Sequence, residues 1–448
     1  MDFMIQFKTV GGFSEVGKNM SILKIGNDAI ALDMGLYLPP IVELENRKGE
    51  VYSERSLRDI EALPQDKKLS AELRKSVKAI LIGHAHLDHV GAVPYMEYNY
   101  KAPIIGTPFT IEFLKAAAKD GNFVLKNQTK AVSPNSTFTV KGNKDIKVEF
   151  INMTHSTLQT AMIAIHTPKG VIIYANDFKF DNTPVLGKKP NYKRLKELGK
   201  EGVLALIADS VYADTERKTP SEKIARGLLE DVLLTTHNEH SGIFVTTFSS
   251  HIARLKSIVD CGKALNRKIL FLGRSLHRYV SVASKINLVP FMSDIKLVRY
   301  RNQVERALKK ISRNRSEWMV VCTGHQGEPG SILERISRGV LPYNLSSKDH
   351  IVFSSGVIPT VWSIANRQKI EKRMKEKGVR IFKDVHVSGH CAREDLRDLI
   401  GMVQPQHIIP AHGGIDKTTP MAELASEMGY KLGKNVHLMQ NQMTLDLD

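Results

Sequence analysis

The residues with the clearest chemical potential in this sequence are three histidines and an aspartate packed into one short stretch. Residues 83–91 read Gly-His-Ala-His-Leu-Asp-His-Val-Gly and place His84, His86, Asp88 and His89 within six residues. Imidazole nitrogens and carboxylate oxygens are the usual protein ligands of zinc and similar divalent metals. An ordinary polar loop is the weaker interpretation, because such density directly after an apolar run rarely arises by chance. The stretch therefore predicts a metal centre.

A buried strand directly before this stretch is expected to hold it in place. Residues 77–82 read Val-Lys-Ala-Ile-Leu-Ile, an apolar run rich in branched side chains that is typical of a buried strand. A loop at the end of a rigid strand can aim several side chains at one point. Because such a loop is curved, neighbouring ligands can also point toward two different ions.

Further candidate ligands follow apolar runs later in the chain, at His155, Asp177 and His412. Taken alone, His155 could be a hydrogen-bonded core histidine and Asp177 a turn residue, but their repeated placement after predicted strands favours ligand roles. The full set has five imidazoles and two carboxylates, more than one tetrahedral ion requires. It predicts two ions, zinc by preference, with Asp177 as the candidate bridge. A divalent ion lowers the pKa of a bound water to near neutrality and so supplies a nucleophile.

Asp33 is predicted to orient a histidine rather than to bind metal. It follows the second of two predicted strands, 20–25 and 28–32, which a Gly-Asn turn connects. Alone it would be an ordinary turn residue, but near a histidine cluster it is a candidate hydrogen-bond partner for a ligating imidazole. The glycines of residues 8–19 contain no G-x-x-x-x-G-K-[ST] pattern, which excludes a nucleoside-triphosphate loop of that type.

The composition is that of a globular protein with a large excess of positive charge. The chain has 448 residues and a net charge of +17, from 64 Lys and Arg against 47 Asp and Glu. Such an excess favours a polyanionic partner, although charge spread evenly for solubility is the alternative. The three cysteines form no C-x-x-C pair, which predicts a cytoplasmic protein. No apolar run is long enough to span a membrane and no signal peptide is visible, so no membrane association is expected.

Alternating helix and strand patterns from about residue 211 predict a second α/β domain built on a parallel sheet. Candidate ligands of the strand-end type resume only near the end of the chain, at His412. We therefore predict one domain formed by residues 1–210 and 366–448, with a second domain, residues 211–365, inserted into it.

The order of the candidate ligands resembles that of the metallo-β-lactamase superfamily, in which His-x-His-x-Asp-His is followed by separate His, Asp and His residues. Asp209-Ser210, Ser388-Gly389-His390 and Ala411-His412-Gly413 are similar to the three β-CASP motifs of nucleic-acid processing enzymes. Within that group the chain is most similar to the ribonuclease J family, over essentially its whole length and in the shorter archaeal form that lacks the bacterial C-terminal domain. The segments that carry this likeness are Gly11–Asn19, Thr247–Ser250, Gly273–Ser275, Thr323–Pro329 and His386–His390.

The resemblance implies a four-layered αββα metallo-β-lactamase fold with an inserted α/β β-CASP domain. It also implies a distribution of the candidate ligands over two zinc ions. One ion would take His84, His86, His155 and Asp177. The other would take Asp88, His89, Asp177 and His412.

The resemblance further implies residues that act on the substrate. The implied catalytic residues are Asp88, Asp209, Ser388 and His390. Ser388 and His390 would contact the scissile phosphate, with His390 helping to protonate the leaving 3′-oxygen, and Asp209 would hold His390 or a metal ligand. A pocket for the 5′-monophosphate of RNA would include Ser250, Arg274 and Ser331. Arginine suits this role because its planar fork pairs with phosphate oxygens.

The main hypothesis from the sequence is a zinc-dependent ribonuclease, with manganese as a possible substitute, that acts on single-stranded RNA. It would be a processive 5′→3′ exonuclease preferring 5′-monophosphate ends, active in RNA decay and maturation as a cytoplasmic homodimer. A β-CASP endoribonuclease is the first alternative. A lactonase or thioesterase is disfavoured by the β-CASP motifs and the charge, and an inactive RNA-binding scaffold by the complete set of seven candidate ligands.

Overall fold

The computed structural model describes residues 4–45 and 52–447 of the chain. Its strands are β1 (Ile5–Gly11), β2 (Met20–Ile25), β3 (Asp28–Leu32), β4 (Val77–Ile82), β5 (Ile104–Gly106), β6 (Thr129–Ala131), β7 (Ser136–Val140), β8 (Ile146–Asn152), β9 (Ala161–Thr167), β10 (Gly170–Ala175), β11 (Val203–Asp209), β12 (Gly242–Thr246), β13 (Lys268–Leu272), β14 (Ile295–Val298), β15 (Trp318–Cys322), β16 (Asp349–Phe353), β17 (Arg380–Phe382), β18 (His407–Ala411) and β19 (Thr444–Asp446). Its helices are α1 (Leu38–Glu45), α2 (Glu54–Asp59), α3 (Ala71–Ser76), α4 (Leu87–Val90), α5 (Val93–Met96), α6 (Pro108–Asp120), α7 (Tyr192–Glu201), α8 (Glu222–Leu234), α9 (Ile252–Ala264), α10 (Arg274–Lys285), α11 (Arg301–Ile311), α12 (Ile332–Ser337), α13 (Val361–Glu376), α14 (Arg393–Val403) and α15 (Ile415–Glu427). None of the helices in the described ranges is long and apolar enough to cross a membrane.

Two sheets pack face to face and are covered by helices on both outer sides. The first has the strand order β19-β1-β2-β3-β4-β5-β6 and the second the order β18-β11-β10-β9-β8-β7. Buried side chains from both, such as Phe7, Leu81 and Phe150, form the layer between them. Helices including α6 cover the first sheet, and α7, α14 and α15 cover the second. This is the αββα arrangement that the family resemblance implied.

The third sheet belongs to the inserted part of the chain and has the strand order β14-β13-β15-β12-β16-β17. All its neighbouring strands are parallel, and helices pack on both faces. This confirms the predicted second α/β unit. Because the strands are parallel, their carboxyl ends lie on one edge of the sheet, which is where ligands bind in folds of this kind.

The third sheet continues past residue 365, the predicted end of the inserted domain. Strand β17 comes after residue 365 but pairs with β16, because its residues 380–382 extend the parallel sheet. The chain therefore leaves the third sheet near residue 383. The domain ranges 1–210, 211–365 and 366–448 stay a prediction, and parts of them, residues 1–3, 46–51 and 448, lie outside the described residues.

The inserted part contacts the metallo-β-lactamase part through α10, which packs against α6. The hydroxyl of Tyr279 on α10 donates to the carbonyl oxygen of Ala85 at 3.2 Å. Arg278 and Arg299 both bind Asp120 at the end of α6, at 2.7 and 2.9 Å. These contacts tie the inserted part directly to the loop that carries His84 and His86.

Candidate metal centre

The loop after β4 holds the four clustered candidate ligands at fixed points of the backbone. His84 is fully buried just past the strand, His86 precedes the short helix α4, and Asp88 and His89 lie within that helix. Because successive helical residues point about 100° apart, the neighbours Asp88 and His89 face in different directions. The loop packs tightly against Gly35, where an added Cβ would lie 1.7 Å from the carbonyl oxygen of Asp88.

The first group of ligand atoms converges around Nδ1 of His86. Nε2 of His84 lies 3.1 Å from this atom and Nε2 of His155 lies 3.0 Å from it. The same two Nε2 atoms lie 3.4 and 3.5 Å from Oδ2 of Asp177. Ligands bound to one tetrahedral zinc at about 2.0–2.1 Å are separated by about 3.3 Å. The spacing of these four atoms therefore fits one ion of this size.

The second group of ligand atoms uses the other oxygen of Asp177. Its Oδ1 lies 3.2 Å from Nε2 of His89 and 3.6 Å from Nε2 of His412. Oδ2 of Asp88 lies 3.7 Å from the same nitrogen of His412. Asp177 therefore turns one carboxylate oxygen toward each group, as a bridging ligand must. All seven candidate ligands predicted from the sequence are brought together, four in each group with Asp177 shared.

Three of the residues that end strands around this centre adopt left-handed backbone conformations. Asp33 follows β3 with φ 58°, Asp177 follows β10 with φ 55°, and His412 follows β18 with φ 64°. Such values are uncommon for residues other than glycine and are retained where surrounding contacts enforce them, often at functional sites. The sharp bend turns each side chain inward from the end of its strand.

The histidines of the first ligand group are neutral and its aspartate is ionised, which are the states that bind a metal cation. Burial, and then the neighbouring imidazoles, lower the pKa of His84, His86 and His155, that of His86 to about 3. Neutral imidazoles offer lone pairs to a metal. Burial opposes ionisation of Asp177, but the histidines around it outweigh burial and hold its pKa well below the usual value.

Two buried atoms at the centre also lack hydrogen-bond partners. Within residues 4–45 and 52–447, these atoms are Oδ1 of Asp177 and Nδ1 of His84. A buried carboxylate oxygen without a partner is costly, and a divalent cation between the two groups would compensate for it. The donor set, the spacing and this oxygen all fit a bound metal.

Asp33 lies where the sequence predicted an orienting carboxylate. Nδ1 of His89 donates to Oδ2 of Asp33 at 2.7 Å. The same oxygen accepts from the hydroxyl of Tyr174 at 2.8 Å, and Oδ1 accepts from the backbone N–H of Gly83 at 2.9 Å. This arrangement orients the His89 ring so that Nε2 faces Asp177, with Nδ2 of Asn19 3.1 Å from the same nitrogen.

We expect Asp33→Asn to weaken metal binding about 10- to 100-fold, the usual cost of losing a carboxylate behind a ligating histidine. The measurement is a chelator competition on the purified variant, which reports metal affinity independently of activity. Asp28→Asn is the matched control, since Asp28 is a buried aspartate at the opposite end of β3 that binds the backbone of Asn143 and Lys144. An Asp33→Asn affinity equal to that of the control would contradict the orienting role.

Sequence reasoning did not assign roles to two other groups that hold candidate ligands. Oδ1 of Asn19 accepts from Nδ1 of His412 at 2.9 Å, and its Nδ2 donates to the carbonyl oxygen of Asp88 at 3.0 Å. The backbone oxygen of Gly389 accepts from Nδ1 of His155 at 2.7 Å. No sequence pattern predicts that a single asparagine or a backbone carbonyl will bind a ligating histidine. The one available signal was that Asn19 ends a glycine-rich segment.

His390 and Asp209 form a pair beside the two ligand groups. Nδ1 of His390 donates to Oδ2 of Asp209 at 2.7 Å, and its Nε2 lies 4.0 Å from Oδ2 of Asp177. Burial opposes protonation of His390, but Asp209 and then Asp177 outweigh it and raise the pKa of His390 to about 9. Because Nδ1 is bound to Asp209, Nε2 is the nitrogen of His390 that faces the centre. Ser388 stabilises the turn by accepting from the backbone N–H of His390 at 3.0 Å.

The three candidate residues of the 5′-phosphate pocket lie along the carboxyl edge of the third sheet. Ser250 follows β12, Arg274 opens α10 after β13, and Ser331 directly precedes α12 after β15. Nε2 of His86 and Oγ of Ser250 share a hydrogen bond of 3.1 Å, which joins this edge to the metal centre. Arg274 is exposed.

Neighbours in the chain link these pocket candidates. Ser249 and Ser275 share a hydrogen bond of 2.9 Å, and an added Cβ on Gly324 would lie 2.7 Å from Oγ of Ser331. That hydroxyl is buried without a hydrogen-bond partner in the described part of the chain. The carboxyl edge therefore carries a buried hydroxyl without a hydrogen-bond partner, on Ser331, and an exposed guanidinium, on Arg274.

Family models match almost the whole chain in three consecutive segments. Residues 44–235 match the metallo-β-lactamase superfamily, and residues 240–374 match the β-CASP domain of ribonuclease J. Residues 378–439 match the Zn-dependent metallo-hydrolase RNA specificity domain.

Several relatives are similar to this chain over its full length. The ribonuclease J of Pyrococcus abyssi is 41% identical over 99% of this chain and 97% of its own length. That of Methanocaldococcus jannaschii is 41% identical over 99% of each chain. Ribonuclease J 1 of Streptococcus pyogenes is 29% identical over 98% of this chain and 73% of its own length. A crystal structure of a protein of unknown function from Enterococcus faecalis V583 shares the fold, with a TM-score of 0.67, 14% identity, and coverage of 99% of this chain and 100% of that one.

The αββα fold, the inserted parallel sheet and the paired groups of histidine and aspartate define a β-CASP metallo-hydrolase. Within this class, the 41% identity to two full-length ribonuclease J proteins identifies the family. The chain belongs to the ribonuclease J family of metal-dependent ribonucleases.

Proposed function

We propose that the protein hydrolyses phosphodiester bonds of single-stranded RNA with two zinc ions, manganese being able to replace zinc. His84, His86, His155 and Asp177 would hold one ion, and Asp88, His89, Asp177 and His412 the other. The observation that carries the proposal is the sharing of Asp177 between two four-residue groups directly beside the His390–Asp209 pair. Divalent ions in such a site polarise a phosphoryl oxygen and supply a nucleophile at neutral pH.

The residues of the chain itself would position the substrate and move one proton. His390 would donate its Nε2 proton to the 3′-oxygen that leaves as the phosphodiester bond breaks, since Asp209 holds the opposite nitrogen at 2.7 Å. Ser388 lies two residues before it and would contact the scissile phosphate. The products would be a 5′-phosphorylated and a 3′-hydroxyl RNA end.

The proposed direction is processive 5′→3′ removal of nucleotides from 5′-monophosphate ends. The support is the carboxyl edge of the third sheet, where Ser250, Arg274 and Ser331 lie and from which Ser250 reaches His86. A 5′-phosphate held on this edge would bring the following phosphodiester bonds toward the metal centre. The second candidate is an endonuclease, which would use the same centre without the pocket.

The cellular setting is part of the same proposal. The protein would act in RNA decay and maturation in the cytoplasm, and the support for this location is that Cys261, Cys322 and Cys391 are all free and buried. A homodimer is proposed, and sedimentation equilibrium of the purified protein tests it.

The 5′-end preference is tested with one RNA carrying a 5′-monophosphate, a 5′-triphosphate or a 5′-hydroxyl. We expect the monophosphorylated RNA to be degraded at least about tenfold faster, because hydrogen bonds to a charged group contribute about 1.5–3 kcal/mol each. A label at the 5′ end should appear at once as a mononucleotide. Arg274→Ala should remove the preference while Arg301→Ala, which changes an exposed arginine on α11, should leave it intact.

His84→Ala provides the control for a contaminating nuclease, since it should stop degradation of every RNA. Discrete internal fragments that do not depend on the 5′ end would establish the endonuclease instead. Equal rates on all three RNAs with wild type would contradict the pocket assignment.

A further inference from the structure

The start of α13 and the loop before it present an exposed apolar patch on an otherwise charged surface. We define this patch as Val357, Ile358, Val361, Trp362 and Ile364. Val361 is 81% exposed and Trp362 40% exposed. An indole left open to water beside other exposed apolar side chains marks a surface that binds something.

The patch is attached to the carboxyl edge of the third sheet by Gln326, in the segment that follows β15. Its side chain donates to the carbonyl oxygen of Gly356 at 2.8 Å and accepts from the backbone N–H of Ile358 at 2.9 Å. Almost two turns into the helix, Arg367 donates to the carbonyl oxygen of His325 at 2.7 Å. These bonds fix the patch on the same edge as Ser331 and Ser250.

The patch also borders the metallo-β-lactamase part of the protein. Helix α1 packs against α13. The chain that leads into α1 is bound to the metal loop, since the backbone N–H of Met34 donates to the carbonyl oxygen of His89 at 2.7 Å. On the other side, an added Cβ on Gly356 would lie 3.4 Å from the ring of His386, four residues before His390. The patch therefore lies where the inserted part meets the part that carries the metal centre.

Exposed lysines continue the surface of α13 beyond the patch. Lys369, Lys372 and Lys375 are all exposed on this helix. Lys369 follows Trp362 by seven residues and Lys372 follows Val361 by eleven, so each lysine lies on the same face as its apolar partner, two or three turns further on. An exposed aromatic side chain with cations on the same helix surface is a combination that binds single-stranded nucleic acid through base stacking and phosphate contacts.

We infer that Trp362 stacks on a base of single-stranded RNA bound at this border, and that Lys369 and Lys372 contact the phosphates of the same strand. The inference rests on the proposed ribonuclease function and adds a substrate-positioning residue to it. RNA is favoured over a second copy of this chain because two copies meeting here would bring their lysines together, and like charges across an interface are unfavourable.

The sequence offers a direct optical test, since the chain has only two tryptophans. Trp318 is 9% exposed in the third sheet, so Trp318→Phe leaves Trp362 as the sole tryptophan. We expect a single-stranded 2′-O-methyl oligoribonucleotide, which resists cleavage, to quench and shift the emission of this variant in a saturable way. An abasic oligomer of the same length should bind through its phosphates with no comparable quench. Unchanged emission while anisotropy shows that the oligoribonucleotide is bound would overturn the inference.

Variants of Trp362 test the inference without changing Trp318. Trp362→Ala should weaken binding of a long single-stranded RNA about tenfold and raise KM with little change in kcat, whereas Trp362→Phe should retain most of the affinity. Tyr300→Ala is the matched control, because Tyr300 is a 60% exposed aromatic residue before α11. If Trp362→Ala instead dissociates a dimer and leaves RNA affinity unchanged, the patch is a subunit contact and the inference is wrong. If wild type hydrolyses no RNA, the proposed function is wrong. If it hydrolyses RNA normally but Trp362 does not stack on a base, only the present inference is wrong.

Discussion

Replacing Asp177 with asparagine should lower kcat for RNA hydrolysis at least about a thousandfold, because a metal centre contributes several kcal/mol of transition-state stabilisation. Asp177 is the one candidate ligand shared by both groups, with Oδ2 at 3.4 Å from His84 and Oδ1 at 3.2 Å from His89. An amide keeps the shape but loses the negative charge and one oxygen. The two groups would then face each other without the anion that joins them.

The measurement pairs kcat with metal content, determined by elemental analysis of the dialysed protein. We expect wild type to retain two ions per chain and Asp177→Asn to lose at least one. Asp349→Asn is the control for loss of a buried carboxylate, since Asp349 is fully buried in the inserted part and binds Tyr343 and Arg315. A variant that kept both ions and its activity would contradict the bridging role.

The candidate ligands could be predicted from the sequence because each follows a strand whose own pattern is clear. The apolar run 77–82 is β4, and Asp177 and His412 follow β10 and β18 as expected. Neighbouring strands in one sheet bring such residues to a common edge, so β10, β11 and β18 deliver Asp177, Asp209 and His412 side by side. Local pattern and sheet geometry predicted Asp177 and His412 as candidates, whereas the role of Asp209 came from the family resemblance.

Contacts between segments far apart in the chain could not be predicted, because no sequence pattern indicates them. Asn19 meets His412 across 393 positions of the chain, and Tyr174 reaches Asp33 across 141. Such pairings depend on how the two sheets pack, not on periodicity. The pairing of β17 with β16 is a contact of the same kind, because a three-residue strand has too short a pattern to predict which sheet it joins.

His390→Ala is expected to lower kcat on RNA about 10²- to 10⁴-fold, the usual contribution of a general acid. Asp209 holds Nδ1 of His390 at 2.7 Å, which leaves Nε2 as the proton-bearing nitrogen on the side of Asp177. A ribose 3′-oxygen is a poor leaving group and needs that proton as the bond to phosphorus breaks. Because His390 is not among the proposed zinc ligands, the variant should retain its metal, which separates this effect from that of Asp177→Asn.

A substrate with an activated leaving group distinguishes proton donation from a structural role. p-Nitrophenolate leaves without protonation, so the p-nitrophenyl ester of a nucleoside 5′-phosphate should be hydrolysed by His390→Ala at close to the wild-type rate. Asp209→Asn should behave similarly with a smaller loss on RNA, since the amide oxygen still accepts from Nδ1 but no longer supports the charged imidazole. Equal losses on RNA and on the activated ester would mean that His390 shapes the centre and donates no proton. Selective loss on RNA in both variants would establish the pair as the acid that releases the 3′-oxygen.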